Sequence, residues 1–154
     1  MTTIYTALAV LVGGTDSLIK YAIERNHPDG ELKPAFHGRV MIRKFHNTGA
    51  MLNLGASKQQ IMAAISVIFT VFMTGVYVAT LGTKGRHMLK TGLALILGGA
   101  YSNTYDRLFR KYVVDYVSFE VPYPRLRRIV FNLSDFAIMI GSCLLVISQL
   151  KEEK

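Results

Sequence analysis

Residues Gln59–Thr83 read QQIMAAISVIFTVFMTGVYVATLGT, 25 residues without one charge. A helix needs about 20 predominantly apolar residues to cross a hydrocarbon core of about 30 Å, so this run spans a membrane unaided. Its start is marked as well. Ser57 followed by Gln60 has the spacing of a capping box, which satisfies helix N-terminal amides just before Ile61, Ala64, Ile65 and Ile68.

Three further uncharged runs surround it, Met1–Thr15, Thr91–Tyr105 and Phe136–Leu150, each of 15 residues. At 1.5 Å per residue each covers about 22 Å, too little for a bilayer. Each must therefore extend past a charge: the first past Asp16, the third run past Asp106, the last back through Asp135. Four helices threaded alternately bring these three carboxylates to one membrane interface. The segments Glu24–Lys58 and Arg107–Arg128 emerge on that side, and only Leu81–Lys90 and the termini lie on the other. The expected architecture is an all-α integral membrane protein with four transmembrane helices, forming a single domain over residues 1–154.

Composition points the same way. Of 154 residues 51% are hydrophobic and 18% charged, against roughly a quarter charged in an average soluble domain. The net charge of +8 does not indicate nucleic acid, because Lys and Arg flank apolar spans instead of gathering on a folded face with aromatics between them. Membrane lipids are the simpler partner, anionic headgroups attracting about 1 kcal/mol per cation. The single Cys, Cys143, excludes a disulfide framework and a Cys-based metal site, and inside an apolar run it reads as packing. The N-terminus has no basic n-region and no A-x-A-like cleavage site, so its apolar run is expected to be a retained first helix.

Between the first two helices, Asn26, Pro28, Asp29 and Gly30 mark a turn. Arg39–His46 has the β-branched and aromatic character of one or two short strands. In the second large segment Pro122 and Pro124 are expected to stop regular structure before Arg125, Arg127 and Arg128 introduce the last helix.

An ionisable side chain at a membrane helix centre costs about 2.5 to 3.5 kcal/mol on insertion scales and asks for compensation. Asp16 and Lys20 stand at i and i+4, Asn103, Asp106 and Arg107 at i, i+3 and i+4, and Asn132 and Asp135 at i and i+3. Each set shares one helical face. Taken singly, Asp16/Lys20 and Asp106/Arg107 fit equally well as interfacial pairs that snorkel. Asp135 does not, since it lacks a basic neighbour three or four positions away and follows six residues, Ile129–Ser134, that read as helix. Asp115, in a loop but bracketed by Val and Tyr, is expected to be partly buried near Asp135. Two carboxylates a few ångströms apart cannot both ionise readily, so they share a proton, one serving as base toward a water and the other as acid. Such chemistry needs neither cofactor nor metal. The four histidines show no metal-ligand spacing, and no P-loop, dinucleotide fingerprint or serine with an evident base appears. Gly98-Gly99 reads as close helix packing.

Five segments, Asp16–Lys20, Asn47–Ala50, Gly98–Arg107, Val113–Tyr116 and Phe131–Asp135, occur in order along most of the chain. In them the sequence resembles the bacterial lipoprotein signal peptidase (signal peptidase II) family. The resemblance implies a membrane aspartic endopeptidase that removes the signal peptide from a diacylglyceryl-modified prolipoprotein, cutting just before the lipidated Cys. It implies Asp115 and Asp135 as the catalytic dyad, Asn132, Asn103, Asp106 and Arg107 as its support, and Asp16, with its partner Lys20, and Asn47, followed by Gly49, in the wall of the site. It also implies a small extracytoplasmic β-structure between helices one and two. Two departures stand next to site residues: Ser102 replaces the usual Gly before Asn103, and Ser134 the usual Ala before Asp135. A third, Met51-Leu52-Asn53, lacks the aromatic common after the N-x-G-A segment.

The carboxylate side carries Arg25, Lys33, Arg39, Arg43, Lys44, Lys58, Arg107, Arg110, Lys111, Arg125, Arg127 and Arg128, whereas the other carries Lys84, Arg86, Lys90, Lys151 and Lys154. The positive-inside rule alone would put the carboxylates in the cytoplasm. The resemblance puts them on the outer side of the bacterial cytoplasmic membrane, and it takes precedence because these cations are spread over folded segments able to meet lipid phosphate or substrate. A rival from another class is a proton-coupled carrier or other non-enzymatic membrane protein in which the carboxylates relay protons or bind a cation. Carriers commonly show repeats and midplane charges, and this chain has no repeat and gathers its charges at one interface. A monomer is expected.

Overall fold

The computed structural model describes residues 2–49 and 59–152. In chain order these form α1 (Thr2–Asn26), β1 (Lys33–Ala35), β2 (Val40–Asn47), α2 (Gln59–Leu81), α3 (His87–Phe109), β3 (Val113–Phe119), a short α4 (Pro124–Arg127), β4 (Val130–Phe131) and α5 (Leu133–Glu152). The capping box read at Ser57 and the Met51-Leu52-Asn53 departure lie outside the described residues.

Helices α1, α2 and α5 are each long and apolar enough to cross a membrane. Their outward faces carry Ile4, Leu18, Ile68, Val71, Phe72 and Ile140, all more than half exposed, which suits hydrocarbon and not water. Helix α3 packs against all three. It is enclosed by them, with Leu93, Ala94, Ile96 and Leu97 buried, and this is why it tolerates Lys90, Asn103 and Asp106. The close approach rests on glycine. A Cβ at Gly98 would sit 2.6 Å from Ala9 O on α1, and one at Gly99 would sit 2.5 Å from Ser134 O on α5. Farther along the α3–α5 contact, Gly92 and Gly141 meet face to face in the same way, as small residues do where membrane helices touch backbone to backbone. At the end away from the carboxylates, buried Lys90 donates to the carbonyls of Leu81 and Thr83 and so caps α2.

The sheet is antiparallel in the order β1-β2-β3-β4. The strands expected near Arg39–His46 are present as β2 with β1 beside it. The other half of the sheet, β3 and β4, comes from the segment after α3, which was read as loop. The protein is therefore not all-α, and its β-structure is not confined to the connection between α1 and α2. Pro124 opens α4 instead of blocking helix, as proline does at a first helical position. Val130 and Phe131 are strand, so Asp135 lies in the first turn of α5 and not beyond six helical residues. Cys143, read as packing, is exposed on α5.

Candidate active site

Residues two apart on a strand share a face. Val113 and Asp115 on β3 thus point the same way, against Asn47 and Phe45, their register partners on β2, and all four line one cavity of about 450 Å³. Asp135 reaches the same cavity from α5. Asn132 precedes that helix as its cap: its Oδ1 accepts the backbone N–H of Asp135 at 2.9 Å, while Asp135 Oδ2 accepts the backbone N–H of Asn132 at 3.0 Å. This is the reciprocal geometry of a capping box with Asn and Asp in its two positions.

All four oxygens of the two carboxylates are engaged by amide groups. Asn132 Nδ2 donates to Asp115 Oδ1 at 2.7 Å and Asn47 Nδ2 to Asp115 Oδ2 at 2.9 Å. Asn103 Nδ2 donates to Asp135 Oδ1 at 3.1 Å, which leaves Oδ2 for the cap bond. Among the described residues neither aspartate forms an ion pair. Burial first, and then the neighbouring Asp135 charge, push the Asp115 carboxyl up to about 7, against the opposing pull of the two amides. Asp115 is 1% exposed, whereas Asp135 is only partly buried and more open to the cavity. Apolar walls from Phe45, Val130, Ile138 and Met139 surround the pair, with Arg107 and Arg128 at the side.

Behind the cavity lies a second network, buried except at Arg110 on its edge. Lys20 Nζ contacts Asp16 Oδ2 at 2.8 Å, Asp106 Oδ2 at 3.1 Å and Asn103 Oδ1 at 2.7 Å. Because an ammonium only donates, Lys20 fixes the Asn103 amide with its oxygen inward and its Nδ2 toward Asp135. Asp106 also pairs with Arg110 at 3.3 Å and accepts the Val114 N–H at 3.1 Å, anchoring the start of β3. Two carboxylates and two cations thus balance, as buried charges must. Asp16 collects Tyr116 OH at 2.9 Å and the Leu133 N–H at 3.1 Å on Oδ1, and Ser102 Oγ and Ser134 Oγ at 2.7 and 2.6 Å on Oδ2. Burial and then the Asp16 charge raise the Tyr116 phenol above its ordinary range, which keeps it a neutral donor.

Of the residues singled out in the sequence, Asp115, Asp135, Asn47, Asn103 and Arg107 line the cavity, and Asn132 bridges the two aspartates. Asp16, expected in the wall, lies behind it at 0% exposure together with Lys20, so the snorkelling alternative does not hold for this pair. Nor does it hold for Asp106/Arg107: Asp106 turns inward, and Arg107 donates to Gly49 O at 3.4 Å. Gly49 in turn donates its N–H to Asn47 Oδ1 at 3.1 Å, orienting that amide. Tyr116, Arg128 and the function of the two serines were missed. For Tyr116 the available signal is its place next to Asp115 in the segment Val113–Tyr116.

A polar core enclosed by long apolar helices, with a cavity holding two aspartates at one end, defines the fold of a membrane enzyme. Two solved structures of bacterial membrane enzymes share it, both determined by the in meso method. One, at 2.3 Å resolution, has a TM-score of 0.83 and 22% identity over 99% of this chain and 90% of that one. The other, at 1.9 Å, has a TM-score of 0.79 and 23% identity over 97% and 94%. Residues 8–151 match the family described as Signal peptidase (SPase) II. A lipoprotein signal peptidase of Moorella thermoacetica is 35% identical over 141 residues, 92% of this chain and 89% of that protein. The chain belongs to the signal peptidase II family, and the carrier reading falls away.

Proposed function

We propose that the protein is an aspartic endopeptidase that cleaves the signal peptide from prolipoproteins immediately before a Cys bearing a diacylglyceryl group. The observation that carries this reading is the pairing of Asp115 and Asp135 on one cavity, with each carboxylate oriented by amides and Asp115 held near neutrality in its titration. The ionised carboxylate takes a proton from a water, whose oxygen attacks the scissile carbonyl carbon. The protonated carboxyl delivers its proton to the carbonyl oxygen. Collapse of the tetrahedral intermediate breaks the C–N bond: the leaving amine takes the proton first removed from the water, and one hydroxyl of the intermediate returns a proton to the carboxylate that had protonated the carbonyl oxygen, leaving a free carboxyl terminus and the dyad as it began. No group on the chain is consumed, and no cofactor enters.

In this reading α3 is the fourth transmembrane helix, the cavity opens on the extracytoplasmic side of the cytoplasmic membrane, and residues 1–154 act as one domain in a monomer surrounded by lipid. The apolar walls suit a substrate whose signal peptide and acyl chains arrive through the bilayer. The test is incubation of the purified protein, in detergent or lipid, with a prolipoprotein carrying the diacylglyceryl group and with the same chain unmodified. A gel shift for the modified chain alone is expected. No shift for either, or an equal shift for both, overturns the reading.

A further inference from the structure

Ser102 and Ser134 stand on different helices, yet both hydroxyls donate to one oxygen, Asp16 Oδ2, at 2.7 and 2.6 Å. Each is the sequence neighbour of a group at the dyad. Ser102 precedes Asn103, whose amide donates to Asp135, and Ser134 precedes Asp135 itself. Both serines are buried, at 3% and 0% exposure. Asp16 does not require them, since Lys20 already donates to Oδ2 and Tyr116 and Leu133 to Oδ1. These are also the two positions at which the family resemblance leads one to expect Gly and Ala, residues without a hydroxyl. A buried hydroxyl is a cost unless it is bonded, so the pair is explained by where its bonds lead. They lead from α3 and from α5 to one point on α1. The helix backbones touch beside that point, where Ser134 O faces Gly99, and a small slide there would carry Asn103 away from Asp135.

We infer that Ser102 and Ser134 are paired positioning residues, which fix α3 and α5 against the common anchor Asp16 and thereby set the Asn103–Asp135 hydrogen bond. Removing either hydroxyl loosens one helix at the anchor, leaving α5 only the Leu133 N–H bond to Asp16 or α3 only its bonds to Lys20, and removing the second then adds little. The inference rests on the reading of Asp135 as a catalytic group.

The test is a double-mutant cycle on the full chain in detergent, with Ser102→Ala, Ser134→Ala and the double variant, scored by cleavage of the diacylglyceryl-modified prolipoprotein and by hydrogen exchange of the segment 129–136. Each single change should lower kcat by about fivefold to tenfold with KM unchanged, and the double should lie within about twofold of the worse single. Ser102→Ala, made on α3, should also accelerate exchange on α5. Unchanged kcat in both singles, multiplying effects in the double, a loss confined to KM, or wild-type exchange in Ser102→Ala overturns the inference. If the wild type itself fails to cleave, the proposed function falls, and the exchange result alone decides the clamp. Should an alanine variant fail to fold, the near-isosteric Ser102→Cys and Ser134→Cys, with their weak S–H donors, carry the same comparison.

Discussion

Asn132 and Asp135 hold each other, side chain to backbone in both directions, at 2.9 and 3.0 Å. The same Asn132 spends its Nδ2 on Asp115 at 2.7 Å, so one residue starts the last helix and fixes the spacing of two carboxylates.

Serine caps helices as well as asparagine does but is too short to donate to Asp115. Asn132→Ser should therefore keep the cap's own share of stability within a few tenths of a kcal/mol and cost about 1 to 3 kcal/mol at the unpaired Asp115 oxygen, while cleavage falls about tenfold or more. Equal activity of the two proteins would remove Asn132 from the dyad.

Asp115→Asn and Asp135→Asn should each abolish cleavage, and the double variant should be hardly worse than either, because groups that act as a unit are not additive. The wild-type rate should trace a bell against pH whose two limbs belong to the pair. Metal chelators should leave it unchanged. Turnover by a folded single variant sinks the mechanism.

Burial raises the Asp115 carboxyl from 3.8 to about 7. The native state therefore keeps a proton that the unfolded chain has lost, and the stability this confers is fully present below about pH 4 and is lost as pH rises through about 7. Asp115→Asn has no such proton. Its unfolding free energy relative to wild type should be constant at acid pH and climb between about pH 4 and 8, by an amount on the order of a few kcal/mol. A flat difference over that range would contradict the burial argument.

Gly99→Ala should strongly reduce both folded yield and activity, because its Cβ would meet Ser134 O at 2.5 Å, a backbone atom with no freedom to withdraw. Gly14→Ala is the control: nothing lies within 4 Å of a Cβ there. Matching melting curves for the two would show that the α3–α5 contact is looser than described.

Single cysteines near Pro34 and near Pro122, in a Cys143→Ser background, should label with an impermeant thiol reagent from outside intact cells. One near Gly85 should not. The opposite pattern would support the Lys and Arg count and place the cavity in the cytoplasm.

What the sequence disclosed depended on periodicity and on chain neighbours. Gln59–Thr83 announced itself by length, and the i, i+3 and i+4 spacings of Asn103, Asp106 and Arg107 put a polar face on α3. Strand β3 escapes because it is buried on both faces, Val113, Val114, Asp115, Tyr116 and Ser118 alike, so no alternation marks it, and β4 is only two residues long. Within Ile129–Ser134, read as helix, only Leu133 and Ser134 are helical, for a related reason. Val130 and Phe131 pair with Ser118 and Val117, and tertiary pairing overrides local pattern in so short a strand. The resemblance implies a place in the wall for Asp16, and its spacing to Lys20 is local information that cannot correct this, since its bonds to Ser102, Tyr116 and Ser134 cross 86 to 118 positions of sequence.

The register of β2 with β3 joins Asn47 to the strand of Asp115 across the whole of α2 and α3, and Asp135 arrives only with α5. A nascent chain is threaded into the bilayer from its N-terminus and folds in that order. Until its last helix is in place it has one carboxylate, no bridging asparagine and an incomplete pocket. With Asp135 as half of the proposed dyad, hydrolytic competence is expected only once α5 is in place, and a chain cut before Leu133 should leave prolipoprotein uncut.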